Sequence, residues 1–93
     1  MKIPRRLKIG GIVYSIKVLD TWDDRQDSDG MLSLDQATGN TIYIGSELTQ
    51  QSKEVTLIHE ILHACNSTMN HEFLDSMSEQ IYQVLHDNKL LKT

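Results

Sequence analysis

The sequence HEILH at residues 59–63 constrains this chain more than any other feature. It lies in a stretch with helical apolar periodicity, and residues four apart on an α-helix lie one above the other on the same face. Two imidazoles at that spacing can bind one metal ion, and the glutamate between them can reach a metal-bound water. The motif therefore predicts a helix that carries a zinc (Zn²⁺) site.

Chain length and composition predict one small domain that covers residues 1–93. The apolar share is 39%, with one Trp and one Phe, so the hydrophobic core must be small. A bound metal is one of the usual ways to stabilise such a core. The net charge of −4 makes nucleic acid an unlikely partner.

Three absences from the sequence bear on where the protein works. Cys65 is the single cysteine, which excludes an internal disulfide and favours a reducing compartment. The first residues lack the apolar run of about 7–15 that a signal peptide needs. No segment approaches the ~18 apolar residues of a membrane span. We therefore expect a soluble, cytoplasmic protein with no membrane partner.

The N-terminal half predicts a small antiparallel sheet of three or four strands. Gly10 and Gly11 form a two-residue turn between the first two strands. Residues 20–30 are polar and predict a loop, and residues 38–40 predict a second turn. The predicted strands are 7–9, 12–19, 31–35 and 41–44.

The first predicted helix runs from about residue 49 to 69. At about 100° per residue, one apolar face is expected to pack on the core, with the motif histidines at its border. That face consists of Val55, Ile58, Leu62 and Cys65. Cys65 is accordingly predicted to be a buried, inert thiol.

The second predicted helix spans about residues 72–89 and follows a short break near residue 70, so the two helices should pack together. It carries an apolar stripe and an opposite polar face. The stripe consists of Phe73, Leu74, Met77, Ile81, Val84 and Leu85. The polar face consists of Asp75, Glu79, Tyr82 and His86. The fold class is therefore α+β, with a small sheet, a motif helix and a second, ligand-bearing helix.

A catalytic zinc site needs a third protein ligand and an open position for water. The metzincin pattern requires Gly three residues and His six residues after His63, but Asn66 and Met69 stand there. Asp75 and Glu79 are one helical turn apart, so one can ligate while the other braces an imidazole. The other candidates are Glu72, His86 and His71, and His71 is read as a solvated or capping residue.

Four segments together carry a family resemblance: TLIHEILHA at 56–64, YQVLHDN at 82–88, KIGG at 8–11 and TIYI at 41–44. In these the chain resembles small zincin-like metallopeptidases of phages and prophages, minimal gluzincins related to the ImmA/IrrE-type peptidases. The resemblance implies a Glu as third ligand on the second helix, with an Asp or Asn four residues later. Those positions are Asp75 and Glu79, so this chain has the two acids in swapped order. Either Asp75 binds zinc and Glu79 braces a histidine, or Glu79 itself ligates, and Asp75 is favoured. A phage origin would place the protein in the host cytoplasm.

The function expected from these residues is zinc-dependent hydrolysis of peptide bonds in a protein or peptide substrate. Glu60 would be the general base on zinc-bound water, and the Tyr82 hydroxyl would help to stabilise an oxyanion. Substrate would pair with a sheet edge, for which residues 41–44 are the candidate. The alternative is a non-catalytic, zinc-stabilised phage protein that binds a host regulator. A fourth protein ligand such as His71 would favour that alternative.

Overall fold

The computed structural model describes residues 1–19, 30–35, 39–66 and 68–91 of the chain. It has the α+β class expected from the sequence, with a small sheet followed by two helices. Residues 20–29 of the predicted loop lie outside the described residues, and Gly30, its last residue, begins a strand. Of the turn predicted at residues 38–40, position 38 lies outside them, and Gly39 and Asn40 belong to a strand. The elements are β1 Arg6–Ile9, β2 Ile12–Leu19, β3 Gly30–Asp35, β4 Gly39–Gly45, α1 Gln50–Cys65 and α2 His71–Asp87.

The first hairpin forms as its glycines predict. β1 and β2 pair antiparallel, and Ile9 stands opposite Ile12 across the two-residue turn. Gly10 and Gly11 have φ values of 61° and 100°. Both are positive, as in the two-residue turns that match the twist of a hairpin, and a side chain at either position would be strained.

The sheet is mixed, so the prediction of an antiparallel sheet is wrong. Its order is β1-β2-β4-β3, in which β2 and β4 run parallel while the β3–β4 pair is antiparallel. β4 is therefore a central strand, and the expectation that residues 41–44 form a sheet edge is also wrong. The reason is that β3 lies outside β4, whereas the expected order paired each strand with its neighbour in sequence. Parallel central strands are usually covered on both faces, and Ile42 and Ile44 are fully buried.

The hydrophobic core lies between the sheet and α1. Its five fully or nearly buried members are Tyr14, Ile16, Ile42, Ile44 and Leu57. The helix contributes Leu57, with Ile61 and Ala64 packed at the border of this cluster. Within the sheet, α1 packs mainly on β3 and β4, so these two strands position the motif helix.

The buried residues of α1 differ from the predicted set. They are Glu54, Thr56, Leu57 and Glu60, whereas the predicted face is only half-buried up to Leu62. The prediction assumed that one face of the helix is covered, but α1 is covered on two sides, by the sheet and by α2. Cys65 ends the helix and is exposed, so the prediction of a buried thiol is wrong.

α2 packs against α1 through a narrow face of three buried residues, Leu74, Ser78 and Tyr82. The Ser78 hydroxyl donates a hydrogen bond of 2.6 Å to the Leu74 carbonyl, which satisfies it inside the helix pair. Of the predicted apolar stripe only Leu74 is fully buried, and Phe73 and Val84 are about half exposed. Within the described ranges, neither helix is long and apolar enough to cross a membrane.

Candidate metal centre

The two motif histidines project from the C-terminal half of a well-capped helix. α1 begins after Thr49, whose hydroxyl accepts a hydrogen bond of 3.1 Å from the Ser52 amide. His59 and His63 are four residues apart, and their ring centroids are 4.7 Å apart. Both are half-buried, so a ligand held between them would be fixed by packing and yet reachable from solvent.

A short turn brings the start of α2 back to this pair. Asn66 ends α1, and its side-chain oxygen accepts hydrogen bonds from the amide and the hydroxyl of Thr68, at 3.0 and 2.6 Å. Asn70 then caps α2 by accepting a bond of 3.1 Å from the Phe73 amide. His71 is thereby the first residue of α2, and its side chain lies beside the last turns of α1.

The two helices run antiparallel, and residues equidistant from the turn face each other. His63 lies opposite His71, with ring centroids 4.5 Å apart. His59 lies opposite Asp75, with Nδ1 and Oδ1 2.9 Å apart. Each helix thus contributes two residues spaced i, i+4, and the two pairs meet at the interface between α1 and α2.

Three histidines converge in this arrangement. His59, His63 and His71 each offer one ligand nitrogen, and these atoms lie within 4.8 Å of one another. In a tetrahedral zinc site with Zn–N bonds of about 2.0–2.1 Å the nitrogens are about 3.3 Å apart. Small side-chain rotations would close that difference, so the three residues are close enough to hold a metal ion.

Asp75 lies beside one ring of the cluster. Its Oδ1 is 2.9 Å from His59 Nδ1, a contact that would favour the proton on Nδ1 and leave Nε2 to bind a metal. Burial lowers the pKa of His59, opposed by the Asp75 charge and aided by His71. Burial and the other two histidines likewise lower the pKa of His63. Both shifts favour neutral imidazole, the form that binds metals.

Glu60 is a buried carboxylate with an unsatisfied oxygen. It is 4% exposed, and its Oε2 has no hydrogen-bond partner in the described part of the chain. Burial raises the pKa of Glu60 to about 7. The other buried acid of α1 differs, because Glu54 Oε1 forms an ion pair of 2.7 Å with the Met1 ammonium. Glu60 is thus the buried acid for which the described structure supplies no cation.

Glu79 and Tyr82 lie further along α2, away from the histidine cluster. Glu79, Val55 and Tyr82 line a groove at the far end of the helix pair. Tyr82 is 4% exposed, and its ring stacks on His86 at a centroid distance of 5.4 Å. Burial raises the Tyr82 pKa, as do the charges of Glu54 and Asp87. The structure does not bring Glu79 or Tyr82 into the histidine cluster, and their predicted roles stay predictions.

The spacing of the two predicted helices, rather than the residue types alone, indicates that His71 lies near the motif histidines. A break of only a few residues between two helices requires an antiparallel hairpin. A turn centred near residue 67 pairs position 63 with position 71, and position 59 with position 75. That register predicts a histidine opposite His63 and an acid opposite His59. The interpretation of His71 as a solvated or capping residue of the turn did not use this register.

Comparisons of the chain with protein-family models, with curated proteins and with solved structures found no match. The resemblance to zincin-like peptidases therefore stays a prediction based on the sequence. Any function must be supported by the cluster itself, by its histidines, by Asp75 and by the buried Glu60.

Proposed function

We propose that this chain is a metal-dependent peptidase, in which His59, His63 and His71 bind one zinc ion. Glu60 acts as its general base. The observation that carries the proposal is the convergence of three imidazoles, on a helix where Glu60, next to His59 in sequence, is a buried carboxylate with an unsatisfied oxygen. Such a carboxylate is costly to bury, and a nearby cation would offset that cost.

The donor set fits zinc better than the other common cations of proteins. Imidazole nitrogens suit Zn²⁺ and its neighbours in the transition series, whereas Ca²⁺ and Mg²⁺ require oxygen ligands. Three protein ligands leave one position of a tetrahedral site open, as catalytic zinc sites do. When bound there, zinc would act as a Lewis acid on the substrate carbonyl and lower the pKa of a water molecule.

Glu60 would transfer the protons of the reaction. Its carboxylate accepts a proton from water as the water oxygen attacks the carbonyl carbon of the scissile peptide. The same group then donates that proton to the leaving nitrogen as the C–N bond breaks. A pKa of about 7 suits both tasks, because neither protonation state is strongly disfavoured at neutral pH.

Asp75 serves in this proposal as a positioning residue rather than as a ligand. Its carboxylate lies 2.9 Å from His59 Nδ1, where a carboxylate commonly orients a ligating imidazole. The histidine cluster supplies the third ligand from His71, one turn before Asp75 on the same helix. This differs from the expectation that Asp75 or Glu79 completes the ligand set.

Substrate would bind extended along β3. β3 is an edge strand of the described sheet and packs on α1. A peptide that adds to this edge gains backbone hydrogen bonds without a deep pocket, which suits so small a domain. His71 and Asp75 are exposed, so the cluster is open to a substrate from the solvent side.

The proposal is tested by incubating the zinc-loaded chain with a mixture of peptides and identifying new termini by mass spectrometry. The wild type is expected to cleave peptides. Glu60→Gln is expected to keep one zinc per chain and lose cleavage, since an amide cannot accept the proton. His86→Ala replaces the one histidine outside the cluster and should behave as wild type. Equal cleavage by Glu60→Gln, or none by the wild type, would overturn the proposal.

A further inference from the structure

A polar groove continues the interface between α1 and α2 away from the histidine cluster. It lies between the first turns of α1 and the last turns of α2, has a volume of about 560 Å³, and is called the end groove below. Sites for small molecules commonly have volumes of about 300–1,000 Å³. The end groove is therefore large enough to take up a long side chain.

Two buried hydroxyl groups belong to the wall of the end groove. Tyr82 is 4% and Thr56 8% exposed. Both line the end groove, and neither hydroxyl has a hydrogen-bond partner within the described residues. The buried Ser78 differs, because its hydroxyl donates to the Leu74 carbonyl. Polar groups that are buried without a partner cost free energy, so a ligand that hydrogen-bonds these two hydroxyls would stabilise the groove.

The charge of the end groove is negative. Glu79 and Asp87 line it, and its lining contains neither Lys nor Arg. Asp87 already has partners, since its Oδ2 accepts a hydrogen bond of 3.1 Å from Gln83 and its Oδ1 lies 3.2 Å from His86 Nδ1. Glu79 is exposed and has no ion pair within the described part of the chain. A carboxylate beside hydroxyls that can accept hydrogen bonds favours a cation with several N–H groups.

Among the cationic side chains of peptides, arginine matches these acceptors best. Its guanidinium has five N–H donors in one plane and stays protonated at neutral pH. It can therefore pair with the Glu79 carboxylate and still donate to a hydroxyl on another wall of the groove. The lysine ammonium has three donors around a single nitrogen and is more strongly hydrated, so it would satisfy fewer of these separated acceptors.

The end groove begins about one helical turn from the histidine cluster. Val55, in its lining, precedes His59 by four residues on α1. Glu79 follows Asp75 by four residues on α2. Four residues advance a helix by about 6 Å, and an extended peptide advances by about 3.3 Å per residue. A side chain about two or three residues from a peptide bond at the cluster can therefore reach the end groove.

We propose that the end groove binds an arginine side chain of the substrate, close in sequence to the scissile bond. This inference rests on the proposed peptidase function and specifies its substrate class, which is peptides with Arg about two or three residues from the cleaved bond. Glu79 pairs with the guanidinium, and the hydroxyls of Tyr82 and Thr56 accept further N–H groups. These three residues bind substrate and take no part in the reaction at the metal.

The first test measures binding to zinc-loaded Glu60→Gln, which is not expected to cleave the probe. Two octapeptides differ at one central residue, which is Arg in one and its uncharged isostere citrulline in the other. Titration calorimetry is expected to show about tenfold tighter binding of the Arg peptide. Adding Glu79→Gln should remove this preference. Adding Glu72→Gln should keep it, because Glu72 is an exposed acid of α2 outside the end groove.

The second test uses cleavage by the zinc-loaded wild type in the peptide mixture. Arg should be enriched within about three residues of the cleaved bonds, and Glu79→Gln should lose the enrichment while it continues to cleave. Equal binding of the two octapeptides, a preference that survives Glu79→Gln, or cleavage without enrichment of Arg would overturn the end-groove proposal alone. A wild type that cleaves nothing would overturn the proposed function instead, and the octapeptides would still decide whether the end groove binds Arg.

Discussion

Glu60 is the residue whose chemistry is most unusual for its position. It lies on the buried side of α1, and the described structure gives its Oε2 no hydrogen-bond partner. Its carboxyl pKa rises from 4.5 to about 7. In the metal-free protein, folding therefore opposes ionisation of this side chain.

The stability of the metal-free protein should depend on pH through Glu60. Below pH 4.5 the group is neutral in both states, and between pH 4.5 and about 7 only the unfolded chain ionises. The free energy of unfolding should fall across that window by about 3 kcal/mol and then level off. Glu60→Gln removes this loss, so it should match the wild type near pH 4 and exceed it above pH 7.

Urea unfolding in the presence of a chelator, from pH 4 to 8, measures this difference. Glu72→Gln is the matched control, because Glu72 is an exposed acid in the first turn of α2. A Glu60→Gln advantage of the same size at every pH would contradict the account, since packing rather than ionisation would then explain it.

Substitutions at Asp75 and Glu79 distinguish a residue that positions a ligating histidine from one that itself binds zinc. Asp75→Ala removes the carboxylate that lies 2.9 Å from His59 Nδ1 and should weaken zinc binding about 10–100-fold. Asp75→Asn keeps a carbonyl acceptor and should recover most of the affinity. Glu79→Ala should have no effect, because Glu79 lines a separate groove. Competition with a chromophoric chelator measures each affinity, and loss of zinc in Glu79→Ala would restore Glu79 as a ligand.

Among the secondary-structure elements, those that depend on neighbouring residues were predicted from the sequence, whereas the order of the strands in the sheet was not. Periodicity and glycines predicted the first hairpin and both helices, because turn chemistry and helical spacing act between neighbours in sequence. The place of β4 between β2 and β3 was missed, since strand order depends on contacts distant in sequence. The buried face of α1 was missed as well, because the helix is covered on two sides, by the sheet and by α2, which buries Glu54 and Glu60 outside the apolar face.

The hairpin of α1 and α2 brings the three histidines together. The contributions of the N-cap residues of the two helices to stability and to zinc binding can be compared. Thr49 and Asn70 each accept one capping hydrogen bond of 3.1 Å. Replacing either with Ala should cost about 1 kcal/mol of stability. Only Asn70→Ala should also weaken zinc binding, because it loosens the turn that holds His71.

Thermal unfolding and zinc titration of the two cap variants provide the comparison. Equal loss of zinc affinity in Thr49→Ala and Asn70→Ala would mean that general destabilisation, rather than the position of His71, is responsible. Asn70→Ser, which can cap equally well, should restore the affinity.

At the scale of the whole molecule, the metal should be part of the fold. The core has five members, and the two helices meet at the histidine cluster. Zinc at about 1,000 times its dissociation constant should stabilise the chain by about 4 kcal/mol. This increment should vanish in His63→Ala and persist in Glu60→Gln. Scanning calorimetry with and without zinc measures it, and an equal increment in His63→Ala would show that zinc binds elsewhere.

X-ray absorption at the zinc edge counts the imidazole ligands of the bound metal and so tests the assignment of the three histidines. The zinc-loaded wild type is expected to show three imidazole ligands and one oxygen from solvent. His71→Ala should reduce the imidazole count to two, while His86→Ala should leave the spectrum unchanged. A site with two imidazoles and a carboxylate in the wild type, or one unaffected by His71→Ala, would contradict the assignment of His59, His63 and His71 as the ligand set.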